Sequence, residues 1–254
     1  MNEIGQIDKT VPIPLYFQLK QLILGDIRSG KYREGDLIPT EMELSEMYAL
    51  SRTTVRQATS ELVQEGWLYK IKSKGTFVSH PKIKQDFIKK LESFNDTIEA
   101  RGLKPSTEVL DFRVIEADKV QSDVKMALNL GEGQKAIYLF RKRRADHLPV
   151  VTVHTFLPYD SCEMVLSHDL NQETLYSILA TSEKTRVFRV DREVQALEAD
   201  EEDAKYLEMK EGRAILATES IGYNAFSEPI EYSLAHYRGE YSKFSVTVFP
   251  AEAK

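Results

Sequence analysis

Cysteine is almost absent: Cys162 is the only one in 254 residues. An intrachain disulfide framework and a cysteine-based zinc site are excluded, and a reducing compartment is expected. No apolar run approaches the ~18 residues of a membrane span. The opening MNEIGQIDKT lacks the apolar stretch of a secretory leader. The expectation is a cytoplasmic chain with no membrane partner. Histidine is sparse too: His80, His147, His154, His168 and His236 never fall at metal-ligand spacing. HExxH, GxSxG and phosphate-loop patterns are missing. Cys162 has no cysteine–histidine context that would argue for a nucleophile. Neither a metal nor a cofactor is therefore expected. The acidic run 198–203 reads as a helix N-terminus favoured by the helix dipole.

What is present is ordinary for a folded chain: 42% hydrophobic and 29% charged residues, enough length for one or two domains, and a net charge of −6. Taken whole, that charge speaks against a nucleic-acid coat. Its distribution does not. Residues 1–49 carry 5 basic and 8 acidic side chains, residues 50–90 carry 9 and 3, and residues 91–254 carry 20 and 29. A basic island of +6 thus lies between segments of −3 and −9, the asymmetry of a local polyanion contact.

The island sits in a recognisable order of elements. Pro14 suits the start of a helix whose apolar face is Leu15, Leu19, Leu22, Ile23 and Ile27, with Gly30 at its end. Thr40 and Glu43 form a capping-box pattern before a short helix burying Leu44 and Met47. Ser51 caps a third helix with Val55, Ala58, Thr59, Leu62 and Val63 inward and Gly66 as its stop. Short strands at 67–69 and 76–78 flank a turn at 71–75. Three helices followed by a hairpin give a winged helix-turn-helix. Arg52 and Arg56 project from one face of the third helix, flanked by Thr53, Gln57 and Ser60. Arginine can grip guanine O6 and N7 with two hydrogen bonds. Ser51 and Thr53 at the helix start suit phosphate oxygens, and Lys70, Lys72 and Lys74 give the hairpin a basic tip.

The runs Pro39-Thr40-Glu41, Leu50 to Ala58, Gly66 and Gly75-Thr76-Phe77-Val78 resemble the DNA-binding domain of GntR-family bacterial transcription regulators over residues 12–80. The resemblance implies that Thr40, Ser51, Arg52, Thr53, Arg56, Gln57, Lys72, Ser73, Lys74 and Gly75 face an operator. Two positions depart from the family pattern: Met42 stands where an operator-contacting arginine is usual, and Ser73 where the wing usually has glycine.

A charged, proline-containing connector at 80–90 leads into a second region that repeats itself weakly. Glu116-Ala117-Asp118 recurs as Glu198-Ala199-Asp200, Gly131 to Ile137 echoes Lys210 to Ile215, and Leu148-Pro149-Val150 echoes Glu228-Pro229-Ile230. Each copy reads as a helix, a glycine turn and two strands, near 136–144, 149–157, 213–222 and 229–237. Two such units are expected to share one antiparallel sheet with helices on it, adding helices at 93–101 and 171–180. The fold class expected is α+β, with domains at 1–79 and 91–254.

This order resembles the HutC-type subfamily, whose effector-binding UTRA domain has a chorismate-lyase-like fold; Tyr237-Arg238-Gly239 carries the sharpest part of the match. Arg141 and Arg143 alternate on one strand and so share a face, an arrangement suited to phosphate or carboxylate. The other reading of that strand, with Lys142 and Arg144 beside them, is a salt-bridged exposed surface. Ser93, Phe94 and Asn95 fall at an expected helix start. Resemblance to the sugar-phosphate-sensing members implies that Ser93, Asn95, Arg141 and Arg143 hold a phosphate, with Phe94 beside them. It also implies that Thr174, Tyr176, Glu231 and Tyr237 contact sugar hydroxyls or an amine. Val153 stands where those sensors often carry glutamate, and His154 replaces a small polar residue. The implied protein is a homodimeric repressor of a sugar-utilisation operon, binding a pseudo-palindromic operator and an anionic effector, with no catalytic residues. An alternative is a lyase or hydrolase carrying a DNA-binding head, with Glu231 and His154 as its conceivable acid–base groups. A third is an architectural DNA-binding protein with an inert ligand domain.

Overall fold

The computed structural model describes residues 6–79, 83–85 and 94–244. Most of the expected connector at 80–90, and Ser93, lie outside the described residues. The chain divides into two compact units, Met1–Lys82 and Ile83–Lys254.

In the first unit, Pro14 precedes α1 (Leu15–Arg28), and Gly30 leaves it at φ +78°. Leu19, Ile23 and Ile27 are buried as the periodicity predicts and Leu24 joins them, while Leu15 and Leu22 are half-buried. Thr40 opens α2 (Glu41–Tyr48) through a reciprocal capping box: its hydroxyl accepts from the Glu43 N–H, and the Glu43 carboxylate accepts from the Thr40 N–H at 2.7 Å. Leu44 is buried. Met47, expected beside it, is 60% exposed, because it turns into an open groove of about 450 Å³ with Leu37, Tyr32 and Pro39. Ser51 caps α3 (Arg52–Gln64) by accepting from the Thr54 N–H at 3.1 Å. Val55, Ala58, Thr59 and Leu62 form its buried stripe; burying a leucine such as Leu62 stabilises by roughly 1.5–3 kcal/mol. Lys20 of α1 reaches Glu61 and Glu65 of α3 at 3.1 and 2.5 Å. A hairpin of β1 (Leu68–Ile71) and β2 (Gly75–Val78) completes the winged helix-turn-helix. Its strands reach closer to the tip than the sequence suggests, and Trp67 lies just before them.

The second unit begins with β3 (Ile83–Gln85), α4 (Phe94–Glu99) and β4 (Pro105–Glu116). A 3₁₀ turn (Ala117–Lys119), α5 (Ser122–Ala127), β5 (Lys135–Ala145) and β6 (Leu148–Pro158) follow. Next come α6 (Tyr159–Cys162), a 3₁₀ turn (Glu163–Ser167), α7 (Leu175–Leu179), β7 (Arg189–Glu198) and α8 (Glu201–Tyr206). The unit ends with β8 (Ala214–Tyr223), β9 (Pro229–Arg238) and β10 (Ser242–Phe244), the last pairing parallel with β3. The main sheet has six antiparallel strands in the order β4-β5-β6-β9-β8-β7. That order states the internal repeat in three dimensions: each copy is a meander of three strands with a helix after the first, and the copies join where β6 pairs with β9. The four expected strands are all present, three slightly longer and β8 shifted by one residue. The expected helices at 93–101 and 171–180 are the shorter α4 and α7.

The sheet's register separates its two faces. Ile137 and Leu139 of β5 pack with Cys162, Val165, Leu175, Ile178 and Leu179, so α6 and α7 cover one face. Ala136 and Tyr232 pack on the other face with Val120, Val124 and Leu128 around α5, and Ile215 packs there with Ala199 and Leu207 around α8.

Candidate functional site

On α3, Arg52, Thr53, Arg56, Gln57 and Ser60 are exposed, opposite the buried Val55, Ala58 and Leu62. Among the described residues neither Arg52 nor Arg56 meets an acidic partner; Glu61, one turn on, is held by Lys20. Gln57 leans toward Glu61 at 3.4 Å. At the tip of the hairpin Lys72, Ser73 and Lys74 are exposed, with Ser73 in the left-handed region at φ +63° and Gly75 at φ +125°. The hydroxyls of Thr40 and Ser51 are engaged in caps, so helix capping accounts for both residues. Lys70 is likewise committed, to Glu41 at 2.7 Å, tying the hairpin to α2. The groove beside α2 is lined by Glu43 and Glu46 as well as its apolar residues, a poor surface for phosphate. The face of α3 and the hairpin tip are what can meet a polyanion.

In the second unit the strand register sorts the basic run of β5. Lys142 and Arg144 point to the α8 face, where they pair with Glu108 at 2.8 Å and Glu208 at 2.6 Å. The salt-bridged surface reading applies to these two. Arg141 and Arg143 continue the line of Ile137 and Leu139 on the α7 face. Arg141 is 4% exposed; its Nη2 donates to Thr155 at 3.0 Å, and its Nε is buried without a partner. Arg143 lies over the Phe94 ring at 5.1 Å, and its Nε is also buried without a partner. Asn95 Oδ1, beside Phe94 at the start of α4, is a third such atom. Burial disfavours the charge of both guanidiniums, and Arg143 opposes that of Arg141 further. Buried donors of one sign with unused hydrogen-bonding capacity are relieved by an anion.

The same face carries Thr155 of β6, Ser233, Glu231 and Tyr237 of β9, and Thr218 and Ser220 of β8. Thr155, Thr218, Ser220, Ser233 and Glu231 are all buried, an unusual density of polar groups under a helix. Tyr176 of α7 donates to Glu231 Oε2 at 2.7 Å, fastening helix to sheet. Burial pushes the Glu231 carboxyl up, against the Tyr176 hydrogen bond and the Arg141 and Arg192 charges. Burial raises the Tyr176 and Tyr237 phenols as well, so both stay protonated donors at neutral pH. Of the sequence-predicted residues, Phe94, Arg141, Arg143, Tyr176, Glu231 and Tyr237 therefore meet on or over one face, and Asn95 follows Phe94 in α4. Thr174 caps α7 and accepts from the Ser177 N–H at 3.2 Å; Ser93 lies outside the described residues.

Sequence reasoning missed Arg192. It stands on β7 opposite Ser220, to which its Nε donates at 2.7 Å, on this same face. The alternation Val190, Arg192, Val194, Ala196 was the available signal. His154 is on the opposite face from Glu231, bonded to the Tyr138 hydroxyl at 2.8 Å and stacked on Phe140. The two cannot act together as an acid–base pair. Among the described residues no group of three or more histidine, cysteine or acidic side chains is placed to hold a metal ion, and no helix is long and apolar enough to cross a membrane.

Two family models match: one described as bacterial regulatory proteins, gntR family, over residues 15–78, and one as the UTRA domain over residues 100–243. The chain is 29% identical to the HTH-type transcriptional repressor NagR of Bacillus subtilis, over 92% of its own length and 94% of that protein. It is 29% identical to the mannosyl-D-glycerate transport/metabolism system repressor MngR of Escherichia coli, over 92% and 95%. The crystal structure of PhnF from Mycobacterium smegmatis superposes with a TM-score of 0.67 at 21% identity, covering 91% of this chain and 99% of that one.

Proposed function

Because this chain belongs to the gntR family of bacterial regulatory proteins, with the UTRA domain of its HutC-type members, we propose that it is a homodimeric repressor of a sugar-utilisation operon, released by a phosphorylated sugar. Membership makes it a ligand-responsive DNA-binding transcription regulator; its relatives are regulators and not enzymes. The finer reading gives residues 1–79 to the operator and 91–254 to effector and dimer partner, in the cytoplasm. Two copies present their α3 helices to the half-sites of a pseudo-palindrome, where Arg52 and Arg56 read base edges and Thr53 and Gln57 flank them. Lys72, Ser73, Lys74 and Gly75 approach the neighbouring backbone or minor groove, and the caps of Thr40 and Ser51 orient the two helix starts.

The observation that carries the effector reading is the pair Arg141 and Arg143 on one face of β5, each with a buried Nε that has no partner. A phosphate monoester supplies two negative charges and several acceptors to such a site, while the hydroxyls, Tyr176, Tyr237 and Glu231 suit the sugar. The effector moves the equilibrium between DNA-binding and released arrangements only by its difference in affinity for the two. Two substitutions separate the functions. Selection from random duplexes should enrich a pseudo-palindrome with the natural chain and nothing with Arg56→Ala, which should still bind the effector. Arg141→Met with Arg143→Met should keep operator affinity and lose release by sugar phosphates. Persisting release would put the anion elsewhere.

A further inference from the structure

Residues 6–14, before α1, form no helix or strand, yet one buried side chain pins their main chain. Gln18 of α1 is 1% exposed. Its Oε1 accepts from the Asp8 N–H at 2.8 Å, and its Nε2 donates to the Asp8 and Ile13 carbonyls, both at 2.8 Å. The amide nitrogen and oxygen are both engaged, so burying this glutamine leaves neither without a partner. Asp8 is held on its N–H and its C=O together, as a neighbouring strand would hold it. Between the two anchors Val11 and Ile13 each precede a proline, which restricts both to extended backbone. Thr10 donates to the Asp8 carboxylate from its N–H at 2.8 Å and its hydroxyl at 2.6 Å. The segment is thereby stiffened, and the backbone entering Lys9 is fixed against α1.

Lys9 reaches from there to the turn between α2 and α3. Its Nζ donates to the Ala49 carbonyl at 2.9 Å. Ala49 ends α2 in the left-handed region at φ +50°, a conformation that a residue with a Cβ disfavours. A cation at that helix end is favoured by the dipole. Within the turn, Ser45 donates to the Leu50 carbonyl at 2.6 Å. Ser51 then caps α3, and Arg52 is its first residue. We propose that the linkage Gln18–Asp8–Lys9 sets the turn at Ala49, and through it the angle at which Arg52 and Arg56 enter the major groove. Gln18 and Lys9 are positioning residues in this assignment, acting on α3 through Ala49 and not through a base. The inference rests on the operator reading of α3 given above.

The test uses the full chain, the duplex it enriches by selection, and a random duplex of equal length, with fluorescence anisotropy across a salt series. Lys9 is exposed, so Lys9→Met should fold as the natural chain does. It should weaken operator binding about five- to tenfold, the scale of one lost hydrogen bond, and leave random-duplex affinity and its salt slope unchanged. Lys9→Arg, whose guanidinium can donate to the same carbonyl, should restore operator affinity. Gln18→Met should lose at least as much as Lys9→Met, and the double variant little more than Gln18→Met alone, because both substitutions cut one linkage. Operator affinity unmoved in a folded Lys9→Met protein, or no recovery with Lys9→Arg, would overturn the assignment. So would losses that multiply in the double variant. Equal weakening on both duplexes, with the salt slope reduced by about one, would make Lys9 a phosphate contact instead and overturn its positioning role. Enrichment of no duplex by the natural chain would overturn the operator reading itself, and this inference with it.

Discussion

Gly239 has no room for a side chain. A Cβ at that position would sit 2.6 Å from the Ala214 carbonyl oxygen, which accepts from the Gly239 N–H. Its two predecessors divide between the faces of the sheet. Tyr237 lies on the α7 face, while Arg238 turns the other way, donating to the Leu207 carbonyl at 3.0 Å and lying over Tyr241 at 4.5 Å. The motif Tyr237-Arg238-Gly239 is therefore one residue turned to the α7 face and two residues that close the sheet. Gly239→Ala should destabilise the chain by about 1–3 kcal/mol, since a backbone atom must yield, and denaturant unfolding would measure it. Gly222→Ala differs in kind. The new methyl meets Glu231 at 3.2 Å and Val187 at 3.6 Å, contacts that a side chain can relieve. Its effect should fall on effector affinity with little loss of stability. A stability loss as large as that of Gly239→Ala would show that Glu231 cannot move.

At the scale of elements, what could be read from the sequence depended on whether a segment's pattern served packing alone. The caps at Thr40 and Ser51 and the repeated strand pairs β5–β6 and β8–β9 were legible because local chemistry and burial agree in them. The two outer strands were not. β4 carries a register shift between Val109 and Asp111 that breaks its alternation. β7 has an exposed edge and a charged residue, Arg192, where an apolar one would continue the pattern. The missed strand and the missed Arg192 are one event: a charged residue on the inward line of β7 interrupts the packing signal. Helix α8 shows another contact that spacing could not supply. Asp203, within its capping box with Asp200, accepts from His236 of β9 at 2.8 Å. That hydrogen bond raises the His236 pKa, and Asp200 and Glu202 add to it. The protonated form is favoured by folding, so the contribution is complete below the ordinary histidine value and is lost as pH rises through the raised one. Burial pulls neighbouring His154 the other way, so its contribution weakens as pH falls. His236→Gln should reduce stability by about 1.5–3 kcal/mol at pH 6 and by less at pH 8.5. A gap between the two proteins that is the same at both pH values would mean that the histidine is neutral in the fold.

For the molecule as a whole, the charges are segregated by task. The stretch 50–90, at +6, contains α3 and the hairpin, while 91–254 carries −9. Long-range attraction to DNA is set by the charge within roughly a Debye length, about 8–10 Å at ordinary salt. The basic face of α3 therefore keeps its local attraction although the whole chain is acidic. At low salt the reach of the field lengthens, and the acidic second unit should oppose loose adhesion to any duplex. Non-specific affinity should consequently fall less steeply with salt for the full chain than for residues 1–82, because repulsion from the second unit is screened along with attraction to the first. Fluorescence anisotropy with a random duplex between 50 and 200 mM salt would show it as a shallower slope of log affinity against log salt. Equal slopes would mean that the second unit's charge is not felt at the DNA. A shallower slope would give the acidic bulk a function of its own, keeping the regulator off non-operator sequence.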